Sequence, residues 1–310
     1  MNTFRAALLM VLSMGFFALE DMVLKLLGGR MPVGQVLMMA GTLGLALYWA
    51  LMAARGRPLW SRDLLHPAVM LRNLGEGLAA ITFVTALVTG DLSSASAILQ
   101  ALPLTITLGA ALFLAEPVGW RRWLSILAGF AGVLLIVRPG AAAFQPASLL
   151  AVVAVLALTL RDLATRRIPD RVSSDALTAS AFGAVVPAGL ILFLIQRQPA
   201  VMPQPADLAW LLAGSLVGLS AYLAMVVSMR FAPIATIAPF RYSRLVFAML
   251  VGIVVFSERP DAITWLGAAV IVGSGIYAMW RETRLSRAGR ATQTPASHRG
   301  SAGPGGAGPR

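Results

Sequence analysis

Long apolar blocks separated by short polar connections are the main pattern along this chain. Ten blocks can be laid out, and each is long enough to cross a bilayer as a helix, which takes roughly 20 residues. The blocks lack the period-2 alternation of membrane β-strands. The pattern predicts an all-α membrane protein whose ten transmembrane helices cover approximately residues 6–27, 33–53, 67–90, 95–114, 120–137, 148–168, 174–194, 207–229, 234–256 and 262–280.

The composition supports this prediction and narrows the chemistry. The chain is 58% hydrophobic and 12% charged, with a mean hydropathy of +0.79, whereas about 25% charge is usual in soluble domains. It has no cysteine, and its two histidines, His66 and His298, lie outside the apolar blocks. A thiolate nucleophile and Cys-ligated metals are therefore excluded, and we predict no metal site, no cofactor and no catalytic residue.

The basic residues of the connections predict the orientation. With the N-terminus in the cytoplasm, the cytoplasmic connections and the C-terminal segment hold most of the loop arginines, as the positive-inside rule requires. Both termini are thus predicted to be cytoplasmic. The same rule accounts for the net charge of +12 without nucleic-acid binding. The first apolar run continues into Glu20 and Asp21 without a cleavage site, so it is predicted to be a retained helix.

An internal repeat divides the chain. The segment LFLAEPVGWRRWLSILAGFAGVLLIV resembles VVFSERPDAITWLGAAVIVGSGIYAM, with Glu116 matching Glu258 and Trp123 matching Trp265. Five helices per copy is an odd number, so the copies must have opposite orientation, as in many secondary transporters. We predict a first five-helix repeat at 1–140, an inverted second repeat at 141–282, and a disordered basic tail at 283–310.

The ninth block, Ile234–Phe256, carries the most informative polar residues. Pro239 removes one backbone hydrogen bond and opens the helix locally. Arg241 and Arg244 lie on one helix face, and charges at bilayer depth normally face protein or a water-filled cavity. Tyr242 lies between them and is predicted to stack on a ligand or to hydrogen bond to it. These four residues are predicted to bind substrate.

Further charges lie inside other blocks, and several alternatives are open for them. Glu20, Asp21, Arg72, Glu76 and Asp162 are the remaining predicted substrate-binding residues. Asp21 is also spaced for an i,i+4 pair with Lys25, and Arg72 is also suited to anchoring a helix end. Asp162 is also consistent with a local network with Arg161. Glu76 and Arg244 are both near mid-depth, where a mutual ion pair is an open alternative. Glu116 and Glu258 are expected to be structural residues at helix ends.

These residues resemble the pattern of the drug/metabolite transporter superfamily, in particular its EamA-type ten-helix proteins. The resemblance covers residues 6 to about 282. Its most specific part is APFRYSRLVFAMLVGIVVFSERPD at 238–261, and the rest comprises Asp21-M-V-L-Lys25, Arg72, Pro103, Glu116 with Arg122-Trp123, and Arg161-Asp162. The pattern is similar to the subgroup that includes S-adenosylmethionine and riboflavin uptake proteins. Glu76 and Arg244 are not fixed features of the family pattern.

The resemblance implies alternating access between two five-helix halves around a central cavity. The function we predict is secondary transport of a small polar or amphipathic organic metabolite across the bacterial inner membrane. Arg241 and Arg244 would bind a carboxylate or phosphate. Glu20, Asp21 or Glu76 would offset a cationic group or carry a coupling proton. Export of amino acids or toxic metabolites is the alternative, an intramembrane enzyme is a remote one, and the sequence leaves a homodimer open.

Overall fold

The structure is a computed structural model that describes residues 2–57, 62–116, 119–142, 144–231 and 237–292. Within them the chain forms eleven α-helices and two short 3-10 helices, and no strand is present in these ranges. The α-helices are α1 Asn2–Gly28, α2 Val33–Ala54, α3 Pro67–Thr89, α4 Leu92–Leu99, α5 Leu102–Phe113, α6 Trp120–Val137, α7 Pro146–Thr165, α8 Ser174–Gln196, α9 Pro205–Phe231, α10 Ser243–Phe256 and α11 Ala262–Thr292. The 3-10 helices are Arg62–Leu65 and Ala238–Tyr242.

These helices make ten segments long and apolar enough to cross a membrane, which confirms the ten predicted spans. The ends agree with the predicted ends to within a few residues. The predicted start of the ninth span, at residue 234, lies outside the described residues. Helix α11 continues to Thr292, so residues 283–292, predicted as part of the tail, are helical. Their Arg, Leu and Ala residues are good helix formers. The rest of the predicted tail lies outside the described residues.

The fourth and ninth spans are both interrupted. In the fourth, α4 ends at Leu99 and α5 begins at Leu102, with Pro103 in the first turn of α5. In the ninth, the 3-10 helix that contains Pro239 leads directly into α10. A proline is tolerated in the first turn of a helix, where its missing N–H is not needed. Each proline therefore lies in the first turn of a helical segment, and at Pro239 this agrees with the local opening that the sequence predicts.

Four long helix pairs hold the bundle together. Helix α1 packs along α9, α3 along α7, α2 along α8, and α6 along α11. Glycines permit the closest contacts, because a Cβ on Gly34 or Gly189 would collide with the backbone of the facing helix where α2 crosses α8. Without a hydrophobic drive between helices in lipid, such close backbone approach is a main source of association.

The chain crosses the bundle ten times, so its connections gather at two ends. We call the end that holds the α10–α11 connection the Glu258 end, and the end that holds the α5–α6 connection the Glu116 end. Ion pairs join different connections at each end. Arg30 pairs with Asp207 at the Glu258 end, and Arg57 pairs with Asp175 at the Glu116 end. The two ends also differ in the burial of the Lys25–Glu258 and Glu116–Arg166 ion pairs, which are described below.

Two glycines of α8 provide a test of this packing. Gly189→Ala should lower the thermal unfolding temperature of the detergent-purified protein by several degrees, because the new methyl group meets the backbone of α2 and overpacking costs about 1–3 kcal/mol. Gly183→Ala is the matched control, since nothing lies within 4 Å of its added Cβ. Equal unfolding temperatures for the two variants would contradict the close α2–α8 contact.

Candidate functional site

A buried ion pair joins α1 to the ninth span. One terminal nitrogen of Arg244 donates to both carboxylate oxygens of Asp21, at 3.0 and 2.7 Å. The Asp21 side chain is 5% exposed and that of Arg244 is 20% exposed. Charges at this depth are costly unless they are paired, so the pair neutralises a charge on each of two helices that are far apart in the sequence.

Aromatic rings and unpaired polar atoms surround this ion pair. The Arg244 guanidinium carbon lies 5.3 Å from the ring centre of Phe17 and 5.9 Å from that of Phe83, which is within cation–π range. Two buried atoms nearby in the chain, the Arg244 Nε and the Tyr242 hydroxyl, have no hydrogen-bond partner among the described residues. The Tyr242 hydroxyl packs against Gly275, where any Cβ would collide with it. Both atoms can still bind a ligand or water.

Glu20 lies beside this pair but makes a different contact. Its carboxylate packs on Gly218 of α9, which has no side chain to displace it, and it borders a cavity of about 30 Å³ between α1, α2, α8 and α9. Within the described residues it forms no hydrogen bond and no ion pair. It is close enough to Asp21 and Arg244 for their charges to act on it. This cavity has room for about one water molecule.

A second charged group lies on α3 and α7. Arg161 donates through Nη1 to Glu76 at 3.3 Å and through Nε to the adjacent Asp162 at 2.8 Å. All three side chains are partly exposed, at 22–31%. Gly75 permits this arrangement, because a Cβ there would meet the α7 backbone at Ala157 and Arg161. The group therefore borders accessible space while it ties two helices together.

Two further arginines adjoin this second group. Arg72 donates to the Leu177 carbonyl and the Asn73 side chain, at 3.2 and 3.1 Å, and forms no ion pair with a described residue. Arg241 is exposed and has neither a hydrogen bond nor an ion pair within the described chain. It nevertheless lies close enough to Asp162, Arg161 and Arg244 for their charges to act on it. Arg241 thus lies within electrostatic range of both charged groups.

The structure brings the nine predicted binding residues together but changes their pairing. The ion pair considered between Glu76 and Arg244 does not form: Asp21 of α1 holds Arg244, and Arg161 holds Glu76. Depth alone suggested that pair, whereas lateral packing places α7 next to α3. The local pairing of Asp162 with Arg161 is present. Pro239 has no polar role and begins the 3-10 helix that presents Arg241 and Tyr242.

Lys25 and Glu258 form a clamp at the Glu258 end, and it replaces the predicted Asp21–Lys25 pair. Lys25 lies 3.1 Å from Glu258 and also donates to the Gly90 carbonyl. Glu258 accepts the backbone N–H groups of Leu92 and Ser93 at 2.7 and 2.9 Å. It therefore caps the first turn of α4 from the α10–α11 connection. We refer to Lys25, Glu258 and these two amides as the Glu258 clamp.

The clamp is buried and electrostatically balanced. The side chains of Lys25 and Glu258 are 12% and 6% exposed. Burial tends to raise the pKa of Glu258, but the Ser93 and Leu92 amides and the Lys25 charge outweigh it and hold that pKa below its ordinary value. The carboxylate therefore stays ionised at neutral pH. A role of Glu258 at a helix end was expected, but the helix is α4 and not its own.

The corresponding ion pair at the opposite end is open to solvent. Glu116 pairs with Arg166 at 2.7 Å, and their side chains are 45% and 46% exposed. Glu116 accepts no backbone amide within the part of the chain that the structure describes. Glu116 and Glu258 match each other in the sequence repeat, but they differ in burial. Glu116 is exposed and Glu258 is buried.

Other aromatic residues of the spans mostly have structural roles. Trp210 is 42% exposed on the bundle surface, which suits contact with lipid. Tyr222 bonds through its hydroxyl to Thr178 at 2.6 Å and meets the Tyr48 ring edge-on. Phe83 is the exception, since it lies against Arg244. No group of three His, Cys, Asp or Glu side chains suited to a metal occurs among the described residues.

The fold and its intramembrane charges define a class of membrane transport proteins. The chain belongs to the EamA-like transporter family, whose model matches residues 4–138 and 145–280. Members of this family are transporters and not enzymes. The two matched segments lie on either side of the α6–α7 connection, and together they cover all ten spans.

Individual relatives are bacterial. A riboflavin transporter of Vibrio cholerae is 33% identical over 62% of this chain and 63% of its own length, so the chain spans just under two thirds of that relative. A riboflavin transporter of Rhizobium johnstonii is 30% identical over 68% of this chain and 69% of its own. An S-adenosylmethionine uptake transporter of Rickettsia conorii is 23% identical over 72% and 74%.

A solved crystal structure shows the same fold. It covers 90% of this chain and 98% of its own, with a TM-score of 0.60 and 22% sequence identity. At that identity the likeness concerns the fold alone.

A double-mutant cycle distinguishes the observed pairing from the predicted one. Asp21→Asn and Arg244→Gln should each destabilise the protein, because each leaves a buried charge unpaired. Combined, their effects should be non-additive by about 0.5–3 kcal/mol, as for residues in contact. Thermal unfolding in detergent is the measurement. The control combines Glu76→Gln with Arg244→Gln, whose effects should add; additivity in the Asp21 cycle would contradict the structure.

The clamp gives a pH prediction. Glu258 has a folded-state pKa below its unfolded value of about 4.3, so its stabilisation is present above that value and disappears as the pH falls through the folded pKa. Glu258→Gln should lower the unfolding temperature by several degrees, nearly constantly between about pH 5.5 and 8, and the difference should vanish toward pH 3. Glu116→Gln, which changes an exposed pair, should have little effect at any pH. A difference that grows on acidification would contradict the assignment.

Proposed function

We propose that this protein is a secondary transporter that moves a small polar or amphipathic organic metabolite across the bacterial inner membrane. One observation carries the proposal. Within the membrane-spanning helices, Arg241 is exposed, unpaired among the described residues, and close to charged groups of α7 and α10. A sealed bundle does not keep an unpaired guanidinium at such a position, whereas a transporter needs one to attract a solute.

We further propose that the two halves are inverted repeats that alternate access to a central site. The packing pairs support this, because exchanging the halves turns the α1–α9 contact into the α7–α3 contact. The same exchange maps the α2–α8 pair and the α6–α11 pair onto themselves. The interrupted fourth and ninth spans are also exchanged. A two-fold relation in the membrane plane has these properties. Ten spans place both termini on one side, which is the cytoplasm in the orientation predicted from the loop arginines.

The difference between the two ends suggests which state the structure represents. At the Glu258 end the clamp is buried, while at the Glu116 end the equivalent pair is exposed. We propose that the site is closed at the Glu258 end and accessible from the Glu116 end, which is the cytoplasmic end in the predicted orientation. Closing the Glu116 pair and opening the clamp would give the opposite state.

The site's chemistry suggests the substrate class. Arg241 provides an unpaired cation for a carboxylate or phosphate, and the rings of Phe17 and Phe83 flank the Arg244–Asp21 pair. Tyr242 and the Arg244 Nε offer unpaired hydrogen-bonding atoms. Glu20, Asp21 and Glu76 are suited to a cationic group or a coupling proton, and Arg72 and Asp162 border the entrance. A planar, polar metabolite of the riboflavin or S-adenosylmethionine kind fits this set.

Ligand binding to purified protein tests the proposal. Riboflavin, flavin mononucleotide, S-adenosylmethionine and free amino acids would be compared by thermal shift, where a ligand at 100 times its Kd adds about 2.7 kcal/mol of apparent stability. We expect a flavin or S-adenosylmethionine to stabilise the protein and Arg241→Ala to weaken that binding at least about tenfold, because a charged hydrogen bond is lost.

Arg230→Ala is the matched control, since Arg230 is an exposed arginine at the end of α9. It should leave the affinity unchanged. Uptake of the stabilising compound into proteoliposomes would then give the direction of transport. Stabilisation only by amino acids would favour the exporter instead, and an unchanged affinity in Arg241→Ala would refute the role given to Arg241.

A further inference from the structure

A row of polar side chains runs along one face of α4 from the clamp into the bundle. Ser93, Ser96 and Gln100 follow at intervals of three and four residues, which places them on one helix face. They are 0%, 1% and 8% exposed. The Ser93 amide donates to the Glu258 carboxylate, but the Ser93 and Ser96 hydroxyls and the Gln100 Nε2 have no hydrogen-bond partner among the described residues. We call these three residues the α4 polar row.

Ser93, at the clamp end of the polar row, faces α10. A Cβ added to Gly252 of α10 would collide with the Ser93 hydroxyl, so the two helices touch at this level. The fourth and ninth spans run in opposite directions. Gln100 lies seven residues after Ser93, and Leu245 lies seven residues before Gly252, which is about 10 Å along a helix in each case. Gln100 is therefore level with Leu245, which follows Arg244 in the chain. The row therefore leads from the clamp to the Arg244–Asp21 pair.

Other hydroxyl groups in this bundle find a hydrogen-bond partner within their own helix. Thr82, Thr85 and Thr159 each donate to the carbonyl four residues earlier, at 2.6–2.8 Å. Such back-bonding is the usual solution for a hydroxyl inside a helix. Ser96 does not use it, although it lies in a helix. Buried polar groups without partners are rare, and each calls for an explanation.

We infer that the α4 polar row lines the half of the solute path between the central site and the Glu258 end, closed in this structure by the clamp and by contact with α10. Opened, it would bind water and the uncharged hydrogen-bonding parts of a solute: hydroxyls, amides and the edges of heteroaromatic rings. This inference rests on the proposed transport function and adds residues to its path. It also explains why Glu258 caps α4, since releasing Glu258 frees the helix that carries the row.

Thiol accessibility tests the inference, and the chain is suited to it because it contains no cysteine. Ser96→Cys would be exposed in membrane vesicles to a membrane-impermeant maleimide, alone and together with Glu258→Gln. Ala97→Cys is the matched control, because Ala97 is equally buried but belongs to the apolar core. Arg259→Cys, in the exposed α10–α11 connection, identifies the face of the membrane from which the reagent must enter.

We expect slow labelling of Ser96→Cys in the intact protein and labelling at least about tenfold faster when Glu258→Gln opens the clamp, because the rate follows the population of the open state. Lys25→Met, which removes the ammonium group that holds Glu258 and the Gly90 carbonyl, should accelerate it as well. Ala97→Cys should stay slow in every background.

Equal rates for Ser96→Cys and Ala97→Cys, or rates that ignore both clamp variants, would overturn the inference. Size-exclusion profiles would show that each variant is folded. The assay needs no transported solute, so it can fail while the ligand binding that depends on Arg241 is intact. Conversely, if no ligand binds but labelling still depends on the clamp, the proposed substrate class is refuted and the inferred path stands.

Discussion

Ionised groups inside a hydrocarbon-thick bundle must be paired or must face water, and this constraint organises the whole protein. Asp21 satisfies it with Arg244, and Glu76 satisfies it with Arg161. Each pair joins helices from different halves of the chain. The ionised residues, which are the most costly to bury in a membrane, thus form contacts between the two halves of the chain. Arg241 is exposed and unpaired among the described residues, and we propose that it satisfies the constraint in the other way, through access to water.

The two interrupted spans carry most of the chemistry for a related reason. A proline in the middle of a membrane segment begins a new helix and leaves backbone and side-chain polar groups without the usual partners. The buried side-chain polar atoms without partners, among the residues that the structure describes, all belong to the fourth and ninth spans. Regular helices provide the scaffold of this bundle, and interrupted ones provide its hydrogen-bonding capacity.

In the proposed alternating-access mechanism, one repeated sequence element serves a different state at each end of the bundle. Glu116 and Glu258 occupy equivalent positions, yet one lies in solvent and the other caps α4 beneath Lys25. A carboxylate that accepts two backbone amides and one ammonium group is strongly held, whereas an exposed ion pair contributes little. Sequence symmetry with structural asymmetry is what an alternating transporter requires, because its two ends cannot be closed in the same way at once.

The sequence by itself determined the ten spans, the local opening of the ninth span at Pro239 and the set of intramembrane charges, because each of these follows from local hydropathy, proline geometry or residue type. It did not determine the pairing. Depth along a helix can be read from residue number, and on that basis Glu76 was matched to Arg244. Which helices are neighbours depends on lateral packing through contacts such as Gly75 on α7 and Gly218 on Glu20. Only the tertiary structure could decide this, because glycine contacts between distant segments leave no periodic signal in the chain.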